Sequence, residues 1–180
     1  TRKAIDTSKT LGVRITLDEK TDTGMEAGEV IKICKALDDD NHLDYFSVIS
    51  GSSSSPEGWI HVFPPMAVPH AFVADDAAQL KKVVSKPVLV AGRINQPQTA
   101  SEILTSNKAD MIGMARALIT DPNFVNKVVA NRSDDIRACI GCNQACVGHR
   151  LTHHAISCIQ NPKTGRERIF GSVEKARSKK

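Results

Sequence analysis

Four short apolar runs alternate with amphipathic stretches along the first two thirds of this 180-residue sequence. Each run has the length and composition of a buried strand, and each is followed by a stretch that fits a helix. The runs are L-G-V-R-I-T-L at 11–17, D-Y-F-S-V-I-S at 44–50, P-V-L-V-A-G at 87–92 and A-D-M-I-G-M at 109–114. This alternation predicts parallel strands joined by helical crossovers, in either a doubly wound sheet or a (β/α) barrel.

The stretches that follow the runs predict helices. The first, over 26–37, places its apolar side chains on one face, and Cys34 falls on that face, so we predict that its thiol belongs to the core. Further helices are predicted over 75–84, 97–106 and 124–130. The Ser- and Pro-rich segment 51–75 predicts a long loop, of the kind that usually serves function.

Composition limits the classes of partner. No run approaches the roughly 18 apolar residues of a membrane helix, and the first residues, T-R-K-A-I-D, are not a hydrophobic signal segment. We therefore expect a cytoplasmic protein without a membrane partner. The net charge of +4 is concentrated in the closing K-A-R-S-K-K, and aromatic residues make up only 4% of the chain, so we expect no nucleic-acid partner.

Four of the five cysteines lie in one stretch near the C-terminal end, with the spacing Cys139-x2-Cys142-x3-Cys146-x11-Cys158. Disulfides fit poorly in a cytoplasmic chain with such tight spacing. Structural zinc remains open, because four thiolates, or three thiolates and a nearby imidazole, could bind it. Three close cysteines and a distant fourth are typical of iron-sulfur ligation, and the spacing favours this interpretation.

Three arginines, Arg14, Arg93 and Arg116, accompany the apolar runs. In a parallel barrel the carboxyl ends of the strands form the active face, and the loops after the last two strands often bind phosphate. Guanidinium groups pair bidentately with phosphate oxygens, and Gly92 and Gly113 permit close backbone approach. Each arginine could instead make a surface ion pair, but three of them on separate runs favour an anion site.

Together these segments resemble the C-terminal half of the flavin barrel in the old yellow enzyme superfamily, and in particular its iron-sulfur branch, which contains trimethylamine dehydrogenase and 2,4-dienoyl-CoA reductase. The matching segments are G-V-R-I at 12–15, D-Y-F-S-V-I-S-G at 44–51, P-V-L-V-A-G-R-I at 87–94, A-D-M-I-G-M-A-R-A-L at 109–118, and C-I-G-C-N-Q-A-C with its later C-I-Q-N-P. The resemblance implies an α/β fold: about four βα units of a TIM (β/α)8 barrel, followed by an iron-sulfur cysteine segment.

The resemblance also implies the cofactors FMN and a 4Fe-4S cluster, with FAD or NAD(P)H bound only in the parent enzyme. Arg14 would face the pyrimidine end of the isoalloxazine, and Arg93 with the Ala115-Arg116 pair would hold the FMN phosphate. The implied FMN-binding set is Arg14, Gly92, Arg93, Gly113, Ala115 and Arg116, and the implied cluster ligands are Cys139, Cys142, Cys146 and Cys158.

A complete barrel of this type needs about 250 residues and eight strands. We therefore expect the chain to be a fragment, with residues 1–136 forming the FMN-binding half barrel and 137–162 the cluster loop. Residues 163–180 would be a polar linker towards an absent dinucleotide-binding domain. A half barrel leaves sheet edges open, so its expected partner is the missing half or another copy of the chain.

We assign no catalytic residue. The reductase branch has a histidine shortly after the sixth barrel strand, where this chain has serines at 52–55, and His61 lies too late in the loop to be equated with it. The expected function is that of an FMN and 4Fe-4S dependent oxidoreductase, which oxidises a small amine or reduces an enoyl substrate. A non-catalytic assembly or electron-transfer module and a zinc-binding α/β protein remain as alternatives.

Overall fold

The computed structural model describes residues 1–171, which form two compact units, residues 1–115 and the residues from 116 onward. Residues 172–180, the last part of the predicted linker, lie outside the described residues. Among the helices of residues 1–171, none is both long and apolar enough to cross a membrane.

The first unit is built on a parallel sheet of four strands. The strands are β1 (Gly12–Asp18), β2 (Tyr45–Ser50), β3 (Val88–Ala91) and β4 (Met111–Gly113). Neighbours in the sequence are neighbours in the sheet, and the central register pairs Val48 with Ile15 on one side and with Val90 on the other. All four apolar runs are therefore strands, and the predicted parallel α/β arrangement is confirmed.

Helices follow the strands as the periodicity predicted. Those of the first unit are α1 (Ala27–Asp39), α2 (Pro56–Val62), α3 (Ala74–Lys81) and α4 (Pro97–Thr105). The prediction of an unbroken loop over 51–75 was wrong, because α2 and the start of α3 fall within it. The Ser55 hydroxyl caps α2 by accepting a hydrogen bond from the Gly58 amide over 3.2 Å, and Pro56 supplies the preset φ of the first helical residue.

The core of the first unit lies between the sheet and its helices. Val30 of α1 and the strand residues Phe46, Val48 and Val90 are completely buried within it. Cys34 is buried in the same cluster, as predicted, and burial raises the pKa of its thiol to about 11. A buried thiol with a raised pKa is chemically inert, so Cys34 is a core residue.

The second unit consists of short helical pieces joined by turns. Its described elements are α5 (Arg116–Thr120), α6 (Phe124–Val129), a 3-10 turn (Ser133–Asp135), a π-helical turn (Gln144–Gly148), α7 (His149–Leu151) and α8 (Glu167–Phe170). The helix predicted over 124–130 is thus present as α6. The buried Asp121 carboxylate accepts hydrogen bonds from Lys127 Nζ and from the amides of Asn123 and Arg137, which joins α6 to the start of the cysteine segment.

Candidate cofactor site

The arginines of the first unit differ in their settings. Arg14 is the third residue of β1, and its side chain is exposed. Arg93 lies two residues after the end of β3, and its backbone has a left-handed φ of 48°. Arg93 Nε is buried and has no hydrogen-bond partner among the described residues. A guanidinium nitrogen can only donate, so this arginine presents donor capacity that an anion could use.

The two glycines at the ends of β3 and β4 are needed for close packing. A Cβ at Gly92 would lie 2.6 Å from Val73 Cγ2, and one at Gly113 would lie 3.0 Å from both Ala91 Cβ and Leu89 Cδ2. Side chains at these positions would therefore displace their neighbours. Gly92 and Gly113 therefore allow the carboxyl ends of β3 and β4 to pack against neighbouring side chains, and Ala115 lies two residues beyond β4.

The four clustered cysteines of the second unit line one cavity. Its lining includes Cys139, Cys142, Cys146 and Cys158, together with Arg116 and Thr120. All four thiols are half-buried, and none of them forms a disulfide. The structure therefore brings together the four side chains that the sequence proposed as a ligand set.

Unusual backbone conformations shape the cysteine segment. Gly141 and Asn143 both have left-handed φ values, of 69° and 58°, and the turn that follows is π-helical, with the Gly148 amide bonded to the Asn143 carbonyl over 2.8 Å. The later part of the segment is held near the π-helical turn by the Ser157 amide, which donates a hydrogen bond to the Ala145 carbonyl over 2.8 Å. These conformations lie between cysteines whose side chains line one cavity.

The thiols of the cavity interact electrostatically. Burial and the charges of Cys139 and Cys142 raise the pKa of Cys146, and the Val147 amide and the Arg116 guanidinium oppose that rise. The Cys158 Sγ lies 3.6 Å from the Thr120 hydroxyl, whose oxygen also donates to the Arg116 carbonyl over 2.9 Å. Several thiolates in one place repel one another, so they need a compensating cation or metal centre.

A mononuclear zinc site and a four-iron cluster require different distances between their cysteine sulfurs. Within residues 1–171, no group of three or more His, Cys, Asp or Glu side chains is arranged as a ready site for a metal ion, although four cysteines line one cavity. Thiolates of a mononuclear zinc site lie about 3.8 Å apart, since each Zn–S bond is about 2.3 Å long. Ligands of a four-iron cube bind four different irons and stand farther apart. The four thiols line one cavity, and the choice between these two kinds of metal centre stays a prediction.

Arg116 belongs to the cysteine-lined cavity in this structure. It begins α5, and its Nη1 donates a hydrogen bond to Asn143 Oδ1 over 2.6 Å. The sequence reasoning assigned this guanidinium to the FMN phosphate and did not foresee its contact with the cysteine segment. The phosphate role stays a prediction.

The 51–75 segment contains two histidines, His61 and His70. His61 lies in α2, its Nδ1 is 3.0 Å from the Glu57 carbonyl oxygen, and its ring is 5.6 Å from that of Phe72. His70, which the sequence reasoning did not single out, is half-buried and interacts with Arg93. Burial and the Arg93 guanidinium lower the pKa of His70, and a hydrogen bond with Asn95 opposes them. Only the fold reveals the interaction of His70 with Arg93, because no local sequence motif links the two residues.

Comparison with known proteins identifies the family. A sequence model of the NADH:flavin oxidoreductase / NADH oxidase family matches residues 1–135, so the chain belongs to that family. The predicted membership of the old yellow enzyme group of flavin oxidoreductases is thereby confirmed. The family match covers the four-stranded unit and ends before the first clustered cysteine.

Two curated relatives align with most of the chain. The chain is 35% identical over 157 residues to a probable N-methylproline demethylase of Rhizobium meliloti (strain 1021), an alignment that covers 87% of this chain and 23% of the relative. It is 32% identical over 135 residues to a cinnamate reductase of Clostridium sporogenes, over 75% of this chain and 20% of that one. The chain thus spans between a fifth and a quarter of these relatives' lengths.

A solved structure confirms the fold. Histamine dehydrogenase from Rhizobium sp. 4-9 superposes with a TM-score of 0.77 at 28% identity, over 88% of this chain and 22% of the other. The four-stranded unit therefore matches part of a TIM-barrel oxidoreductase, and the α/β fold that the sequence predicted is confirmed.

Proposed function

We propose that this chain is the phosphate-binding and cluster-binding part of an FMN and 4Fe-4S dependent oxidoreductase. The observation that carries the proposal is the convergence of the four cysteines on one cavity, in a chain that belongs to a flavin oxidoreductase family. When bound, FMN supplies two-electron transfer to or from a substrate, and a 4Fe-4S cluster supplies one-electron transfer.

Different residues of the chain would bind FMN and the cluster. Gly92, Arg93, Gly113 and Ala115 would hold the FMN phosphate, because they lie at the carboxyl ends of β3 and β4, where parallel sheets bind ligands, and a guanidinium pairs with phosphate oxygens. Arg14, exposed on β1, would give a positive charge to the pyrimidine end of the flavin. Arg116 is proposed to serve the phosphate from its place at the start of α5.

In the second unit, Cys139, Cys142, Cys146 and Cys158 are proposed as cluster ligands. Zinc is less favoured, because three close cysteines and a distant fourth are more typical of iron-sulfur ligation than of the two separated C-x2-C pairs common in zinc sites. Arg116 and the Val147 amide would help to keep Cys146 ionised for metal binding, because both oppose the rise of its pKa.

The substrate of the parent enzyme is proposed to be a small amine or an enoyl compound. The similar demethylase and histamine dehydrogenase are named for amines, and the cinnamate reductase is named for an unsaturated acid. The rest of the parent protein is the proposed partner for the outer edges of β1 and β4, which are the terminal strands of the described sheet. No nucleic acid or membrane has a part in this proposal.

Cofactor binding tests the proposal. The full 180-residue chain would be reconstituted anaerobically with iron and sulfide and then titrated with FMN and with riboflavin. We expect a bound cluster and tighter binding of FMN than of riboflavin, because only FMN carries the phosphate. A cluster with no preference for FMN would instead support the electron-transfer module, and zinc binding with no iron incorporation would support the zinc protein.

A further inference from the structure

The turn after β3 and the segment before α3 are held together in strained conformations. Ala71 and Arg93 both have left-handed φ values, of 53° and 48°, and the Ala71 amide donates to the Arg93 carbonyl over 3.2 Å. Non-glycine residues keep such a conformation only where the surroundings enforce it, and strain of this kind clusters at binding sites. Two strained residues that are hydrogen-bonded to each other indicate that the surrounding structure enforces the backbone conformation at this junction.

The packing around Gly92 fixes the distance between the two segments. A Cβ at this position would lie 2.6 Å from Val73 Cγ2 and 3.2 Å from Phe72 Cε1. The backbone before Arg93 therefore lies directly against the residues that follow His70. This close packing and the Ala71 hydrogen bond tie the two segments to each other.

Two buried nitrogen atoms at this junction lack partners among the described residues, namely His70 Nδ1 and Arg93 Nε. A buried polar atom without a partner is rare and costly, so each such atom calls for an explanation. Arg93 Nε can only donate a hydrogen bond, whereas Nδ1 of a neutral imidazole accepts one when the ring proton is on Nε2. The two atoms are thus chemically complementary.

The environment of His70 favours the neutral ring. Burial and the neighbouring Arg93 guanidinium lower its pKa, with the Asn95 hydrogen bond acting in the opposite direction. A neutral imidazole does not repel the guanidinium and keeps a lone pair for it.

We infer that His70 is the positioning residue of Arg93: its Nδ1 accepts the Nε–H of Arg93 when a phosphate monoester binds, so that both terminal nitrogens of the guanidinium are directed to the phosphate oxygens. This inference rests on the proposed FMN phosphate site. It accounts for both unpartnered atoms. The strained contact between Ala71 and Arg93 would hold the two side chains in position for this hydrogen bond. His70 would act through the arginine and not on the reacting part of the flavin.

Substitution of His70 tests the inference through affinity. The full chain, reconstituted as above, would be titrated with FMN, riboflavin and inorganic phosphate, in the wild type and in the variants His70→Leu and His70→Gln. We expect His70→Leu to reduce the preference for FMN over riboflavin by about tenfold, the usual effect of losing one charge-assisted hydrogen bond. His70→Gln should recover most of the preference, because its side-chain oxygen can accept the Nε–H. The matched control is His42→Leu, at an exposed histidine, which should leave the preference unchanged.

A spectroscopic measurement on the wild type keeps the test independent of variant folding. In a ¹H–¹⁵N spectrum, the Arg93 Nε–H signal should shift and exchange more slowly after addition of FMN or inorganic phosphate, and should not respond to riboflavin. An unchanged Arg93 signal, or a His70→Leu variant that folds and keeps the FMN preference, would overturn the positioning role while leaving the phosphate site in place. If the wild type itself shows no FMN preference, the proposed phosphate site fails, and the inference fails with it.

Discussion

Arg116 Nη1 donates a hydrogen bond to Asn143 Oδ1 over 2.6 Å, and this bond joins the start of α5 to the turn between the second and third clustered cysteines. Asn143 holds a left-handed φ of 58° at this turn. Asn143 therefore has two separable roles: its backbone adopts the left-handed conformation of the turn, and its side chain accepts the hydrogen bond from Arg116.

Asn143→Ala should weaken cluster retention. Alanine in a left-handed conformation costs about 1 kcal/mol, and the substitution also removes the acceptor for Arg116. The matched control is Asn131→Ala, which has a similar left-handed φ of 54° but lies outside the cavity lining. Both variants should lose a similar free energy of unfolding, but only Asn143→Ala should release iron faster to a chelator. Equal rates of iron release from the two variants would show that the Arg116 contact has no role in retention.

Gly92→Ala should destabilise the first unit by about 1–3 kcal/mol, the usual cost of forcing a methyl group into a packed space. The added Cβ would meet Val73 Cγ2 at 2.6 Å. Gly28→Ala is the matched control, since a Cβ there has no neighbour within 4 Å and the residue lies in α1. That control should be neutral or stabilise the chain by up to about 1 kcal/mol. Urea unfolding of the two variants measures both effects, and equal midpoints would contradict the packing argument.

Asp121→Asn should destabilise the chain by about 3 kcal/mol at neutral pH, because it leaves Lys127 without its buried partner. Burial alone would raise the pKa of Asp121, but the hydrogen bonds from Lys127, Arg137 and Asn123 outweigh it and hold the pKa below its ordinary value of 3.8. The contribution of this carboxylate is therefore complete above pH 3.8 and is lost as the pH falls through the lower native pKa.

Unfolding measured against pH checks the sign of this effect. The wild type should lose stability below about pH 4, and Asp121→Asn should lack part of that loss. Asp134→Asn, at an exposed aspartate in the same unit, serves as the control and should follow the wild-type curve. A variant Asp121→Asn with the full wild-type pH dependence would show that this carboxylate is not stabilised in the native state.

The sequence predicted the features that depend on local pattern. The β-branched runs around Val48 and Val90 are strands because such side chains suit a buried parallel sheet. Helical spacing predicted that Cys34, unlike the clustered cysteines, lies in the core. The helix α2 was missed because its serines and proline were interpreted as loop composition. The same residues are a helix start, with Ser55 as the cap and Pro56 in the first turn.

The contacts that sequence reasoning missed are those made between distant segments. Arg116 meets Asn143 across 27 residues, and no periodicity links the two. The electrostatic interaction of His70 with Arg93 likewise depends on how α3 returns the chain to β3. Side chains that act in a site are brought together by tertiary packing, so a single sequence can propose their identities more readily than their pairings.

The central claim is that the four clustered cysteines bind a 4Fe-4S cluster, and the most direct test is iron, sulfide and zinc analysis of the anaerobically purified and reconstituted chain. We predict about four irons and four sulfides per chain, with zinc absent. Cys146→Ala should lose most of this iron, and Cys34→Ala, which removes a buried thiol outside the cavity, should keep it. Zinc without iron in the wild type, or the same iron content in Cys146→Ala as in Cys34→Ala, would contradict the claim.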